Sequence, residues 1–305
     1  MPVVDQMQRI PHYKSLDRGP IGFKSRIHHK EGDIMTIAKR SVVTVPQTAR
    51  IKNTVDLMVK EGIRRLPVTE PGTKRLVGII RTRDILEFLG GGEKYKIVKV
   101  KFGGNFLAAV NEPVKSIMSR DLTCGISHMS IVDVARLLLS KGIGGVPILD
   151  DDGKIVGIVS EHDFISFVPS TTGSKVSYYM SRHVATADPS FKILDAARTI
   201  VSRGFRRLPV VSSGRLVGIV TSMDILRYFS SSRIFYHMSS GRFEDAMSVG
   251  VQEIMTRDVF KATPEMDVGE AAGLMRERDC GGLPVVSGDE LVGIITEHDL
   301  MRLLV

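Results

Sequence analysis

The residues best suited to chemistry are two arginine pairs, Arg64-Arg65 and Arg206-Arg207, each standing directly before a Leu-Pro-Val step. Guanidinium forks match phosphate oxygens, so a pair repeated at one register points to a phosphate clamp; solvated surface arginines are the plain alternative. A second set places a hydroxyl three residues before an acid: Ser160 with Asp163, Thr221 with Asp224, and Thr296 with Asp299. That spacing opens a helix as a capping box. It also allows the hydroxyl and helix N-terminus to receive a phosphate while the carboxylate accepts hydrogen bonds from ribose hydroxyls. Both readings stand at this stage. One further copy departs from the pattern, with Arg81 in the hydroxyl position ahead of Asp84 and Thr82 beside it pointing elsewhere.

Where two copies carry arginine pairs, the other two carry glycines, Gly144-Gly145 and Gly281-Gly282. Without a Cβ they let a ligand or another backbone approach closely. The same two copies share Glu161-His162-Asp163 and Glu297-His298-Asp299. Adjacent residues in a strand-helix turn point apart, so these triplets read as helix-start electrostatics rather than a metal or acid-base set. His28-His29 is a weak metal signal, and Cys124 and Cys280 read as small apolar side chains with no zinc-ligand spacing. There is no nucleophile-base pair, metal set or phosphate loop, so no enzyme is expected and no cofactor.

These residues are positioned by a repeat. Four times a Leu-Pro or Val-Pro step is followed by a short turn, Val-Gly-Ile, and an Asp six residues after the Gly: Pro67, Gly78, Asp84; Pro147, Gly157, Asp163; Pro209, Gly218, Asp224; and Pro284, Gly293, Asp299. In the third copy Ile193, Ala196, Ala197 and Ile200 form one helix face, with Ser190 as expected N-cap and Gly204 as left-handed stop. Strands are expected over 208–211 and 216–220, a further strand over 184–187, and a closing helix over 224–229. The unit is β-α-β-β-α. Gly62 and Gly142 hold the stop position elsewhere, and Asp279 takes it in the fourth copy.

The fold class is therefore α/β, built of α+β repeats. The division runs 1–33 as an N-terminal arm, 34–91 as repeat 1, 92–113 as a linker, and 114–170 as repeat 2. Then come 175–232 as repeat 3, 233–249 as a second linker, and 250–305 as repeat 4. Odd copies resemble each other, as do even ones, so a two-repeat module has been duplicated. Gly90-Gly91-Gly92 reads as a hinge, and Lys94, Lys96, Lys99 and Lys101 as alternate residues on a strand face.

The chain has 305 residues, 43% of them hydrophobic, and a net charge of +8. No run reaches the roughly 20 apolar residues of a membrane span, and the start lacks a signal-peptide core, so a cytoplasmic protein is expected. The basic balance attracts anions without choosing among them. A nucleic-acid binder using that surface is one alternative, opposed by 6% aromatics and no tryptophan.

The four units resemble cystathionine-β-synthase (CBS) domains, and each half resembles a Bateman module. The arginine pairs before Leu-Pro-Val are similar to those of the nucleotide-sensing gamma subunit of AMP-activated protein kinase and its four-repeat archaeal relatives. The segment from Gly104-Asn105-Phe106 to Asn111-Glu112-Pro113-Val114 resembles the linker of those relatives. The resemblance implies a disc of two modules, monomeric or stacked as a homodimer, with adenine nucleotides (AMP, ADP or ATP) in clefts between paired repeats. It implies that Arg64 and Arg65 meet Ser160 and Asp163, and that Arg206 and Arg207 meet Thr296 and Asp299. Thr221 and Asp224 would face Gly281 and Gly282; Arg81 and Asp84 would face Gly144 and Gly145. The purine would lie near Val42 or Val184. Such a protein is a non-catalytic sensor that passes occupancy to a separate, regulated protein. Another adenosyl ligand such as S-adenosylmethionine is disfavoured, because a sulfonium gains nothing from arginines.

Overall fold

The computed structural model describes residues 34–238 and 243–305. The arm of residues 1–33, with His28 and His29, lies outside the described residues.

The hydrophobic period builds each repeat. In the first, the helix Ile51–Lys60 buries Ile51, Thr54, Val55 and Met58, one face at helical spacing. It follows β1 (Val45–Pro46) and precedes β2 (Arg65–Thr69) and β3 (Leu76–Arg81), after which the helix Thr82–Leu86 closes the unit. The second repeat has β4 (Gly125–Ile126), the helix Ile131–Lys141, β5 (Gly145–Leu149), β6 (Ile155–Ser160) and the helix Glu161–Phe164. The third has the helix Ile193–Arg203, β7 (Arg207–Ser212), β8 (Arg215–Thr221) and the helix Ser222–Ser230. The fourth has the helix Val268–Glu277, β9 (Gly282–Ser287), β10 (Glu290–Thr296) and the helix Glu297–Met301.

Chain reversal after the helices needs a positive φ, found at Gly62, Gly142, Gly204 and, at 46°, Asp279. Three local expectations fail. Ser190 does not cap a helix: its amide and hydroxyl both turn to Asp188 Oδ1, and the helix begins two residues beyond, after Lys192. Val184 to Ala187 makes only a parallel bridge, Ala187 with Val210. The lysine stretch is helical over Ile97–Lys101, and Lys94 pairs with Asp84 and Glu87 while Lys101 pairs with Glu112. Those ion pairs place Lys94 and Lys101, and Lys99 lies over the Tyr95 ring, so the lysines do not share a strand face.

Repeats pair within each half by exchanging their leading segments. Lys39, in the leading segment of repeat 1, bridges Ile158 of repeat 2, and Ser119 bridges Ile79 in return. Ser181 with Ile294 and Thr256 with Ile219 repeat the exchange in the second half. The Val-Gly-Ile glycines admit these segments: a Cβ on Gly218 would come within 2.7 Å of Met255 Sδ, and one on Gly293 within 2.7 Å of Met180 Sδ. β8 and β10 also join through Arg215 and Glu290, giving a sheet ordered β7-β8-β10-β9.

The halves then meet like to like. The helix Thr82–Leu86 packs on Ser222–Ser230, and Glu161–Phe164 on Glu297–Met301. One core holds Val55, Leu66 and Ile85 with Ile193, Leu208 and Ile225; a second holds Val134, Val146 and Phe164 with Ala271, Leu283 and Leu300. Odd copies bury their helices against odd, even against even. That settles the arrangement of the modules, which their similarity in pairs leaves open. The two even helix starts therefore lie face to face at the centre. No helix among the described residues is long and apolar enough to cross a membrane.

Candidate functional site

At each strand-helix junction the hydroxyl and acid form the capping box. Ser160, Thr221 and Thr296 donate both amide and hydroxyl to Oδ2 of Asp163, Asp224 and Asp299, with hydroxyl distances of 2.8, 2.7 and 2.7 Å. The hydroxyl thus makes the capping box, the first of the two readings the spacing allows. What remains exposed to a ligand is Oδ1 of each acid, and its state differs by copy. Asp299 Oδ1 has no partner among the described residues. Asp224 Oδ1 accepts from Arg227 at 2.8 Å, and Asp163 Oδ1 has Lys39 Nζ at 3.8 Å. Asp84 is fully buried, with Arg81 on both oxygens at 2.9 and 3.1 Å and Lys94 on Oδ1. Burial alone would raise the Asp84 carboxyl, but Arg81 and Lys94 outweigh it and hold the group ionised. Asp84 therefore has no oxygen left for a ribose.

The glycine pairs are filled from within the chain. A Cβ on Gly282 would overlap Arg207 Nη1, one on Gly281 would lie 2.8 Å from Arg207 Nη2, and one on Gly144 would overlap Arg65 Nη2. Gly145 would bring its Cβ 3.0 Å from Arg65 Nη1. The close approach at these glycines comes from within the chain: Arg207 at Gly281 and Gly282, with Glu297 Oε2 also at Gly281; Arg206 of the other module together with Arg65 at Gly144; and the Val159 carbonyl ahead of Arg65 at Gly145. Arg207 Nη1 is buried with no hydrogen-bond partner among the described residues. Burial, with Arg64 and Arg206 nearby, pushes the Arg207 pKa down to about 10. Arg65 is brought to about 9 by burial and by Arg206. These are cations short of anions.

The first arginine of each pair turns to the centre. Arg206 Nη1 lies 2.5 Å from Glu161 Oε2, and Arg64 Nη1 lies 3.8 Å from Glu297 Oε2. Both glutamates are buried and cross the module boundary, Glu161 to His298 Nδ1 and Glu297 to His162 Nδ1, each at 2.8 Å. Burial would raise Glu161, yet His298 and Arg206 bring it down to about 2. Glu297 is lowered in the same way by His162 and Arg64 against burial, and Glu297 raises His162 in turn. Helix-start electrostatics, as read from sequence, missed this bond between the halves. The available signal was that both triplets occur only in the copies lacking arginines.

Three cavities surround this centre and share Arg206. One, of about 360 Å³, is lined by Val184, Ala185, Arg206, Arg207, Thr296, His298, Asp299 and Arg302. Here the resemblance's grouping is brought together, and Arg302 and His298 join it. A second, also about 360 Å³, brings Thr221 and Asp224 to Gly281 and Gly282 with Arg64, Arg206 and Arg207. A third, about 210 Å³, holds Arg64, Arg65, Arg81, Gly144 and Gly145. Val42 lines a separate cavity with Arg40, Ser41, Thr44 and Lys74, which does not include Arg64, Arg65, Ser160 or Asp163. Val42 thus lines this cavity without Arg64 or Asp163, while Arg65 Nη1 and Ser160 Cα both lie 3.0 Å from the place of a Cβ on Gly145. Among the described residues no three His, Cys, Asp or Glu side chains are placed to hold a metal ion.

The CBS-domain profile matches residues 32–91, 114–170, 176–231 and 251–305. Protein MJ1225 of Methanocaldococcus jannaschii is 38% identical over 273 residues, covering 88% of this chain and 98% of that protein. Its crystal structure, described as that of a proposed archaeal homologue of γ-AMPK, matches 90% of this chain and 100% of its own at a TM-score of 0.86. A 33.4 kDa protein from the ribosomal RNA operon of Thermofilum pendens is 29% identical over 265 residues, 86% of this chain and 88% of that one. A conserved protein from Pyrococcus horikoshii is 27% identical, with a TM-score of 0.58 over 90% of this chain and 100% of its own.

Proposed function

The chain belongs to the CBS-domain family, and we propose that it is a non-catalytic sensor of adenine nucleotides (AMP, ADP or ATP) that reports their occupancy to a separate protein. The observation that carries this reading is the cavity uniting Arg206, Arg207, Asp299 and Val184, with Arg207 Nη1 enclosed and unpartnered beside it. An enclosed guanidinium short of an acceptor favours an anionic ligand. Its 360 Å³ lies within the range of small-molecule sites. In this site the phosphate sits on Arg206 and Arg207, the ribose hydroxyls donate to Asp299 Oδ1, and the purine packs on Val184 and Ala185. The likeness to a protein described as a proposed γ-AMPK homologue supports the same ligand class.

Transmission follows from Arg206. It holds Glu161, and Glu161 holds His298 of the other module. A phosphate that draws on Arg206 weakens that link, so the ligand shifts the packing of the modules by its differential affinity for two arrangements and by no more. The cationic lining opposes S-adenosylmethionine, whose sulfonium would be repelled.

Calorimetric titration of the protein and of Asp299→Ala with AMP, ADP, ATP and S-adenosylmethionine tests the reading. Saturable nucleotide binding, weakened roughly 10- to 100-fold in the variant, is expected from loss of charged hydrogen bonds. Absence of nucleotide binding by folded, nucleotide-free protein would sink it. Steeply salt-dependent binding of long polyanions in its place would favour a nucleic-acid partner.

A further inference from the structure

The cavity between repeats 1 and 2 and its counterpart between repeats 3 and 4 have the same ancestry and different chemistry. In the counterpart, Thr221 and Asp224 line a space of about 360 Å³ together with Phe260, over whose ring Arg278 lies at 4.8 Å. In the first, about 210 Å³, Arg81 stands at the place of Thr221, Arg83 at that of Met223, and Thr123 at that of Phe260. A nucleoside needs an acceptor for its ribose and a face for its base. The first cavity offers no such acceptor, since Asp84 is sealed by Arg81 and Lys94; Thr123 stands in the place of Phe260, and the aromatic ring that lines it is Phe205 of repeat 3.

What it does offer is positive charge. Arg64, Arg65, Arg81, Arg83 and Arg206 line it, against Asp121 as the acidic lining residue. Arg65 has no hydrogen-bond or ion-pair partner among the described residues, and Arg83 has only Glu87, at 3.4 Å.

We propose that this cavity binds a compact phosphoanion carrying no nucleoside, of the pyrophosphate type, between Arg65 and Arg83. Two phosphate groups joined directly satisfy several guanidinium forks at once and need no ribose acceptor. The site shares Arg206 and Phe205 with the nucleotide cleft at Val184, whereas Arg65, Arg81 and Arg83 line this cavity and not that one.

The test is calorimetric titration of the full chain with inorganic pyrophosphate, alone and with saturating AMP. Binding that persists under AMP and weakens roughly 5- to 10-fold in Arg83→Met supports the site; that variant removes a half-exposed fork and leaves the core intact. In Arg81→Thr, which restores the hydroxyl of the other copies and leaves Lys94 as the cation on Asp84, pyrophosphate affinity should fall more than tenfold. No pyrophosphate binding, binding abolished by AMP, or binding indifferent to Arg83→Met would each overturn it. Because pyrophosphate is titrated without AMP as well, failure of the nucleotide reading leaves this result legible.

Discussion

The outer clefts of the two modules carry the same motifs and are not the same site. In the second, Asp299 Oδ1 is open and Arg302, one turn on, lines the cavity beside it. In the first, Lys39 reaches Asp163 Oδ1 at 3.8 Å, and Ser166 stands where the second has Arg302. Lys39 itself occupies the place of Ser181, on the segment exchanged between repeats. A matching motif thus marks a place where a ligand site can be built. Residues outside the motif, delivered by the exchanged segment, decide whether its oxygen is free.

The centre shows a milder form of the same asymmetry, and it predicts the largest effect. Arg206 sits 2.5 Å from Glu161, while Glu297 has arginines only at 3.8 and 4.0 Å. Glu161→Ala should destabilise by about 3 kcal/mol in urea unfolding, since it leaves a buried hydrogen-bonded pair broken. Glu297→Ala should cost less. Equal losses would show that the two halves bear the boundary equally and break the comparison.

Gly282→Ala comes next. Its Cβ would overlap Arg207 and lie 3.0 Å from the Ile295 carbonyl, so the guanidinium must leave its place. Overpacking of this kind costs about 1–3 kcal/mol, and nucleotide affinity should fall with the displaced arginine. Unchanged melting and unchanged titration would show that Arg207 moves freely.

A smaller effect sharpens the comparison of the clefts. Lys39 is largely exposed, so its hold on Asp163 is weak. Lys39→Ser should raise nucleotide affinity at the first module no more than about fivefold, read as a second class of sites in the titration. If the stoichiometry and affinity do not change, the missing Arg302 equivalent is what separates the clefts.

The smallest effect is with pH. His162 is raised by Glu297, so its contribution is whole below the unfolded value of 6.5 and is lost as pH rises through the higher folded value. Glu161, lowered from 4.5 to about 2, contributes above 4.5 and loses that contribution as pH falls towards 2. Melting temperature should therefore decline gently above pH 6.5 and more steeply below 4.5. In Glu297→Ala the alkaline decline should shrink, because His162 loses its hydrogen-bonded partner and keeps only the weaker pull of Asp279 and Asp163.

Much of this was legible along the chain. The repeat period set the strands, the glycine and Asp279 stops, and the kinship of odd with odd and even with even, because helix faces and turns are local demands of hydrophobic spacing and backbone φ. Sequence by itself therefore determined four α/β units and the residues at each strand-helix junction. It did not reveal that the glycine pairs house Arg65 and Arg207, that Glu161 and Glu297 tie the modules together, or that Asp84 is sealed. Each of these joins residues far apart in the chain, such as Arg207 with Gly282 or Glu161 with His298. A charge's partner depends on which surfaces meet and how much water they exclude, and only the tertiary packing of repeat on repeat decides that.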